Sequence, residues 1–266
     1  MDIISHTLTG IAVGTVIASF SKRGLKDKAT LLGIGALGGA LPDFDAISLW
    51  SKFDSVIGGP LNLQYSGKEI YFSKLWYSHH GAFHSILAPI LLLILFTLLM
   101  MILKKLNAKG KTLDFLIKLK LRYATFFGAF LFHLLEDMPT PSGVWGGVNL
   151  IFPNKEYLGG FGKIWWWNNY DIFLIICTII LLNLIINILP NTLYRVKTKM
   201  TLSIFCIGLT LASFQILNRP IDFNYTGHTQ NYSQYELDSK KVQKDILGEK
   251  LYNFMEYIDR KIPLYF

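Results

Sequence analysis

The chain has 266 residues, 52% of them hydrophobic and 17% charged, with a mean hydropathy of +0.37. That balance is too apolar for an ordinary soluble domain and too long for one anchored helix, so it predicts an all-α, polytopic membrane bundle of about six apolar helices. The net charge of +8 would raise nucleic acid as a partner for a soluble protein. Here the excess falls in short connections between apolar runs, without a basic helix or an aromatic platform, so no nucleic-acid partner is expected.

Residues 3–20 (IISHTLTGIAVGTVIASF) are read as a first helix, marginal in length for a bilayer. Thr9, Gly10, Ala12, Gly14 and Ala18 would let a second helix approach closely. The run has no basic leader, so it is read as part of the folded protein and not as a cleaved signal. A basic connection, 21–28, leads to a glycine-rich apolar segment, 29–42, which stops at Pro42 and is followed at once by Asp43 and Asp45. These two segments read as a tight hairpin packed through glycines, the first two of the six helices and the shortest. Residues 46–77 read as a loop with little regular structure. Helix three is 84–103, entered through the stretch SHHGAFHS at 78–85.

A strongly basic connection, 104–122, precedes helix four, about 121–138, which ends in HLLED before Pro139 and Pro141. The loop 139–168 carries Trp145, Trp165, Trp166 and Trp167, a composition that suits a membrane interface. Helix five, 170–189, is stopped by Pro190, and helix six is 200–217. Residues 1–218 therefore read as a membrane-embedded domain. Residues 219–266 form a polar, Tyr-rich tail with an amphipathic helix expected at about 236–260.

Charge asymmetry sets the expected orientation. The connections 21–28, 104–122 and 190–199 carry 14 Lys and Arg against Asp27 and Asp114. The opposite connections, 51–78 and 139–168, carry 5 basic residues against Asp54, Glu69 and Glu156. By the positive-inside rule the first set is cytoplasmic and in contact with anionic lipid, and both termini and the tail face outward. On that map His6, Asp43, Asp45, His79, His80, His84, His133, Asp137 and Asp171 all fall at the outer face. Ionisable groups clustered at membrane helix ends are functional by default.

His133 and Asp137 are four apart on a helix and share one face, so they can grip one ion or two adjacent ions. His80 and His84 have the same spacing. Asp43 and Asp45, two apart after Pro42, can present carboxylates to neighbouring ions or hold a histidine. Taken singly, each has a structural reading: His6 an interfacial histidine, His133 with Asp137 a hydrogen-bonded pair, Asp171 a helix cap. Together they form a mixed His and Asp set that favours Zn²⁺, with Mn²⁺ or Fe behind it. Their number exceeds what one ion needs and favours two ions, the arrangement used in phosphoester hydrolysis. Glu136 lies about 100° round the helix from Asp137. Two other classes compete with a hydrolase: a metal-handling or transport protein, and a structural protein that uses metal to clamp helix ends.

The blocks MDIISHTLTG, GALGGALPDFDAI, HHGAFHS, HLLEDMPTPSGV and WNNYD, spread over residues 1 to about 175, resemble the bacterial family of LexA-binding, inner-membrane-associated hydrolases, also described as membrane-bound metal-dependent hydrolases. The resemblance implies metal-dependent hydrolysis at the inner membrane. It carries the ligand role onto His6, Asp43, Asp45, His79, His84, His133 and Asp137. That family usually has Arg and Thr where this chain has His80 and Phe83, and an Arg would hold a phosphate bidentately where His80 does so only when protonated. Nothing in the chain looks like a LexA-binding surface. The combined expectation is a membrane metallohydrolase acting at the outer face on a phosphoester, lipid-linked or periplasmic substrate. In it His80 or Glu136 assists proton transfer, and Asp171 stands behind the ligands.

Overall fold

The side chain of Asp2 accepts the Ser5 amide at 2.9 Å and starts α1 (Ile3–Ser19). This helix is the axis of the fold: α2 (Leu25–Ala40), α5 (Lys111–Asp137), α6 (Tyr170–Ile188) and α7 (Tyr194–Leu217) all pack on it. A short helix α3 (Gly67–Tyr71) and the apolar α4 (Leu87–Leu103) complete the body, and α8 (Tyr232–Leu247) and α9 (Glu249–Asp259) follow. The structure, a computed structural model, describes residues 1–103, 111–144, 146–223 and 228–261, with the side chains of 111–118 and 191 excepted. Lys104, Lys105 and Lys109 of the basic connection, and Trp145, lie outside the described residues. The described elements are helices and turns, joined by two isolated antiparallel bridges in the loop 139–168, Pro141 with Phe161 and Val148 with Leu158. The chain is all-α.

The α1–α2 contact is backbone against backbone. A methyl placed on Gly10 would overlap the Gly35 carbonyl oxygen, one on Gly35 would overlap that of Gly10, and one on Gly39 would overlap that of His6. In an apolar medium such approach is favoured because van der Waals contact, not water exclusion, holds helices together. Around this pair the core is Ala12, Val13, Val16, Ala129, Ile172, Ile176, Ile179 and Phe205. At the end away from His6, buried polar groups tie α1 and α2 to α6, and α7 to the end of α6. Asn187 donates to the Thr15 carbonyl at 2.9 Å, and the ammonium groups of Lys28 and Lys197 donate to the carbonyls of Asn187 and Leu189 at 2.8 and 2.6 Å.

Among the described residues α6 and α7 are long and apolar enough to cross a bilayer. Their 19 and 24 residues span roughly 28 and 36 Å at 1.5 Å per residue. The apolar α1 and α4 have 17 residues each and reach roughly 26 Å. One side of α4 packs on α5, and its other side leaves Ile90, Leu91, Ile94, Leu95, Leu98 and Leu99 exposed.

Several boundaries differ from the sequence expectation. Helix four begins at Lys111, about ten residues early, because Phe115, Leu116 and Leu119 recur at helical spacing among the lysines. Residues 46–77 hold the end of a 3-10 stretch (Pro42–Leu49), a π-turn (Asp54–Gly58) and α3, whose capping box joins Ser66 and Glu69 reciprocally. The tail is helical and docked. Gly248, at φ +74°, breaks its expected single helix into α8 and α9, and Tyr170, Tyr252 and Met255 bury together against α6. Trp165, read as an interfacial residue, is fully buried among Phe223, Tyr232 and Tyr235.

Candidate metal centre

Each element end that meets at this site is fixed by its own local chemistry. His6 sits one turn into α1, at a height set by the glycine contact with α2. Pro42 ends α2 and opens the 3-10 stretch that carries Asp43 and Asp45. His79 and His80 stand on a tight turn closed by the Gly81 amide on the Ser78 carbonyl, with His80 at φ +62°. Two bonds from the loop 139–168 hold that residue: the Asn149 amide donates to its carbonyl at 2.9 Å, and its ring Nδ1 donates to the Gly147 carbonyl at 2.9 Å. His84 ends the 3-10 turn Ala82–His84, while His133 and Asp137 come from one face of α5.

These ends converge. The Nε2 atom of His133 lies 3.1 Å from Asp137 Oδ2, 3.3 Å from His84 Nε2 and 3.6 Å from Asp43 Oδ1. His6 Nε2 lies 3.1 Å from Asp137 Oδ1, and the rings of His6 and His133 stack at 3.7 Å. His80 Nε2 approaches Asp137 Oδ2 at 3.8 Å. His79 donates from Nδ1 to Asp45 Oδ1 at 2.7 Å, and the other Asp45 oxygen is 3.0 Å from His84 Nδ1. Five histidines from α1, α5 and the loop before α4 therefore surround three aspartates. His6, His84 and His133 are wholly buried.

Ring orientation says what the cluster suits. His133 Nδ1 donates to the Gly39 carbonyl at 2.6 Å, His6 Nδ1 to Glu136 Oε2 at 2.8 Å, and His80 Nδ1 to Gly147. With each Nδ1 carrying the proton, each Nε2 turns a lone pair inward, the tautomer that metal-ligating histidines adopt. The Nε2 atoms of His84 and His133, 3.3 Å apart, then need a proton or a cation between them. In that tautomer His6 Nε2, 3.1 Å from Asp137 Oδ1, and Asp137 Oδ2, 3.1 Å from His133 Nε2, each face another acceptor and go without a hydrogen bond. A buried polar atom left so costs about 1–3 kcal/mol, which a coordinated ion would remove. Three overlapping sets have ligand atoms within 4.8 Å of one another: His79, His80 and His84; His6, His133 and Asp137; Asp43, His84 and His133. The donor set fits a divalent transition metal.

The electrostatics agree. Burial alone would raise the Asp43 and Asp45 carboxyls, yet His133 and His84 hold the first, and His84 and His79 the second, below the usual carboxylate range. Burial lowers the His84 ring, but Asp45 and Asp43 outweigh it and bring it up to about 10. His80 goes the other way: burial and the adjacent His79 and His84 push it well below an ordinary histidine. Without an ion, protons on histidine supply the positive charge, and the Met1 ammonium adds a second source, donating to Asp137 Oδ1 at 2.5 Å.

Eight of the nine outer-face candidates come together here, and Glu136 joins them. Asp171 does not. Its carboxylate takes two bonds from Arg219, at 2.8 and 3.0 Å, and its backbone amide donates to Gln243 Oε1 at 3.1 Å, so it clasps the tail to α6 instead of backing a ligand. Glu136 stands behind His6 and is also bonded by the Thr9 hydroxyl, which places it to orient a ring. Sequence reasoning missed Thr9, the two carbonyls of Gly39 and Gly147, and Tyr71, which stacks on His79 at 4.6 Å from the end of α3. The Ser66-x-x-Glu69 box was the one signal that would have placed Tyr71 on a helix.

No curated protein and no solved structure matches the chain. A family model described as YdjM inner membrane protein matches residues 1–220, the whole His and Asp cluster included, and the chain belongs to that family of inner-membrane proteins.

Proposed function

We propose that this chain is a membrane-integral, metal-dependent hydrolase that cleaves a phosphoester or lipid-linked substrate at the extracytoplasmic face. The observation that carries this reading is the inward turn of the Nε2 atoms of His6, His80, His84 and His133 onto Asp43 and Asp137, with Nδ1 of His6, His80 and His133 anchored from behind. His6, Asp43, Asp45, His79, His84, His133 and Asp137 are the ligands, in numbers that favour two ions, with Zn²⁺ ahead of Mn²⁺. Such ions supply Lewis-acid polarisation of the phosphoester and activation of water at neutral pH. The chain's own part is to hold the rings in one tautomer and to bury the histidine ligands. His80, held at Nδ1 by the Gly147 carbonyl with Nε2 3.8 Å from Asp137, is the group placed to accept a proton at Nε2.

The orientation rests on the Lys and Arg asymmetry and six crossings: α6 and α7 are joined by α4, α5 and the shorter α1–α2 hairpin. Cysteine labelling from outside the cell tests it: Ser66→Cys should react and Lys26→Cys should not. The chemistry is tested by elemental analysis of the purified protein, followed by a screen of phosphodiesters, phosphomonoesters and lipids with the metal found. Absence of transition metal, or unchanged metal content and turnover in His133→Ala and Asp137→Ala, would overturn it. Ion flux into proteoliposomes would favour a transport role instead.

A further inference from the structure

Beside the cluster, on the side of α4, lies a groove of about 420 Å³ whose walls are almost entirely apolar. Phe44, Ile47, Trp76, Phe83, Leu91 and Leu92 line most of it, and Asp45 is the one charged residue at its edge. That carboxylate is the one that holds His79 and touches His84. The groove therefore begins at one of the candidate ligands, Asp45. It ends at Leu91, where it joins the exposed row Ile94, Leu95 and Leu98 that α4 turns away from the bundle. Trp76, 65% exposed, and Tyr77 stand at the rim, the pairing of apolar body and polar tip found where bilayer meets water.

We infer that this groove seats one hydrocarbon chain of a membrane phospholipid whose phosphate lies at the His and Asp cluster. The inference rests on the metallohydrolase reading and names its substrate class. A site with charge only at one end, and a wall that runs on into a lipid-facing helix surface, matches a molecule with the same division. Size agrees as well. A cavity of about 150 Å³ accommodates benzene; by that measure 420 Å³ accommodates roughly 16 carbons, a common acyl length. A water-soluble substrate would leave these walls uncovered. In a membrane protein lipid tails are the component always present to cover them.

Binding can be followed without turnover, so failure to find hydrolysis leaves this test intact. The probe is a single-chain lysophospholipid of about 16 carbons brominated along the chain, compared with an analogue of about 4 carbons, added to detergent-purified protein. The long probe should quench tryptophan fluorescence, and Trp76→Phe should remove most of that quenching. Leu91→Trp, a change at a 54% exposed position that fills the groove mouth, should weaken the long probe about tenfold and leave the short probe and the metal content unchanged. Quenching that persists in Trp76→Phe, or equal binding of the long probe by Leu91→Trp, would place the chain elsewhere and overturn the inference. Leu91→Cys dimers that form by disulfide in native membranes and exclude the probe would show a second copy as the occupant and overturn it too.

Discussion

Replacing Glu136 with Gln keeps the shape of the side chain and removes its charge. In the structure Glu136 Oε2 accepts the His6 Nδ1 proton at 2.8 Å, its other oxygen accepts the Thr9 hydroxyl, and its side chain is only 15% exposed. A hydrogen bond to a charged partner is worth about 1.5–3 kcal/mol, and the neutral amide retains about 1 kcal/mol of it. The loss is about 0.5–2 kcal/mol in holding His6 as a ligand, or roughly 2- to 30-fold in metal affinity. That agrees with the 10- to 100-fold typical of partners behind a ligand. Competition with a fluorescent chelator at fixed pH measures the affinity directly, and Thr9→Val should move it in the same direction by less. If Glu136→Gln binds metal within about twofold of the wild type while its turnover collapses, Glu136 acts on the reacting atoms and the positioning argument is wrong.

The histidine shift gives a pH signature. The His84 ring is raised from 6.5 to about 10, so it stabilises the metal-free fold fully below about pH 6.5 and loses that contribution as pH rises through about 10. Metal must displace the same proton, so affinity should strengthen over this window while the melting temperature of chelated protein falls; parallel rises in both would contradict it. Gly35→Ala forces a methyl against the Gly10 carbonyl, and thermal unfolding should report a loss of about 1–3 kcal/mol. A melting curve unchanged from wild type would mean the hairpin is looser than described. Arg219→Ala strands the buried Asp171 carboxylate and should cost about 3–5 kcal/mol at the tail clasp. Limited proteolysis should then release α8 and α9 with metal content intact, whereas loss of metal would return Asp171 to the ligand surroundings.

The cluster itself was readable before any coordinates because its members are chemically conspicuous. His and Asp are costly at the ends of apolar helices, so their recurrence at several such ends marks them as one set. What stayed hidden was carried by groups without a side-chain signature. The Gly39 and Gly147 carbonyls that fix two ring tautomers belong to every residue type equally. Asp171 was misread because an acidic residue at a helix start looks the same whether it faces an ion or Arg219, and Arg219 is 48 positions away in sequence. The contact of Glu136 with His6 was hidden because its angle on the helix is legible in the sequence but the arrival of α1 on that flank is not. Among the elements, α3 and the first turns of α5 were lost to glycine and lysine content, which mask a helical period.

The reach of the His6–Glu136 contact, 130 positions along the chain, also has a consequence for biogenesis. At roughly 5–20 residues per second of synthesis, about 6 to 26 s separate the emergence of the first partner from that of the second. During that interval the early hairpin can already have joined its glycines, while His6 and Asp43 wait without His133 or Asp137. A half-assembled set of donors holds a metal ion weakly. If the cluster holds metal as proposed, the nascent protein should enter the membrane metal-free and take up an ion only after α5 has docked, which would make loading a late checkpoint on correct assembly.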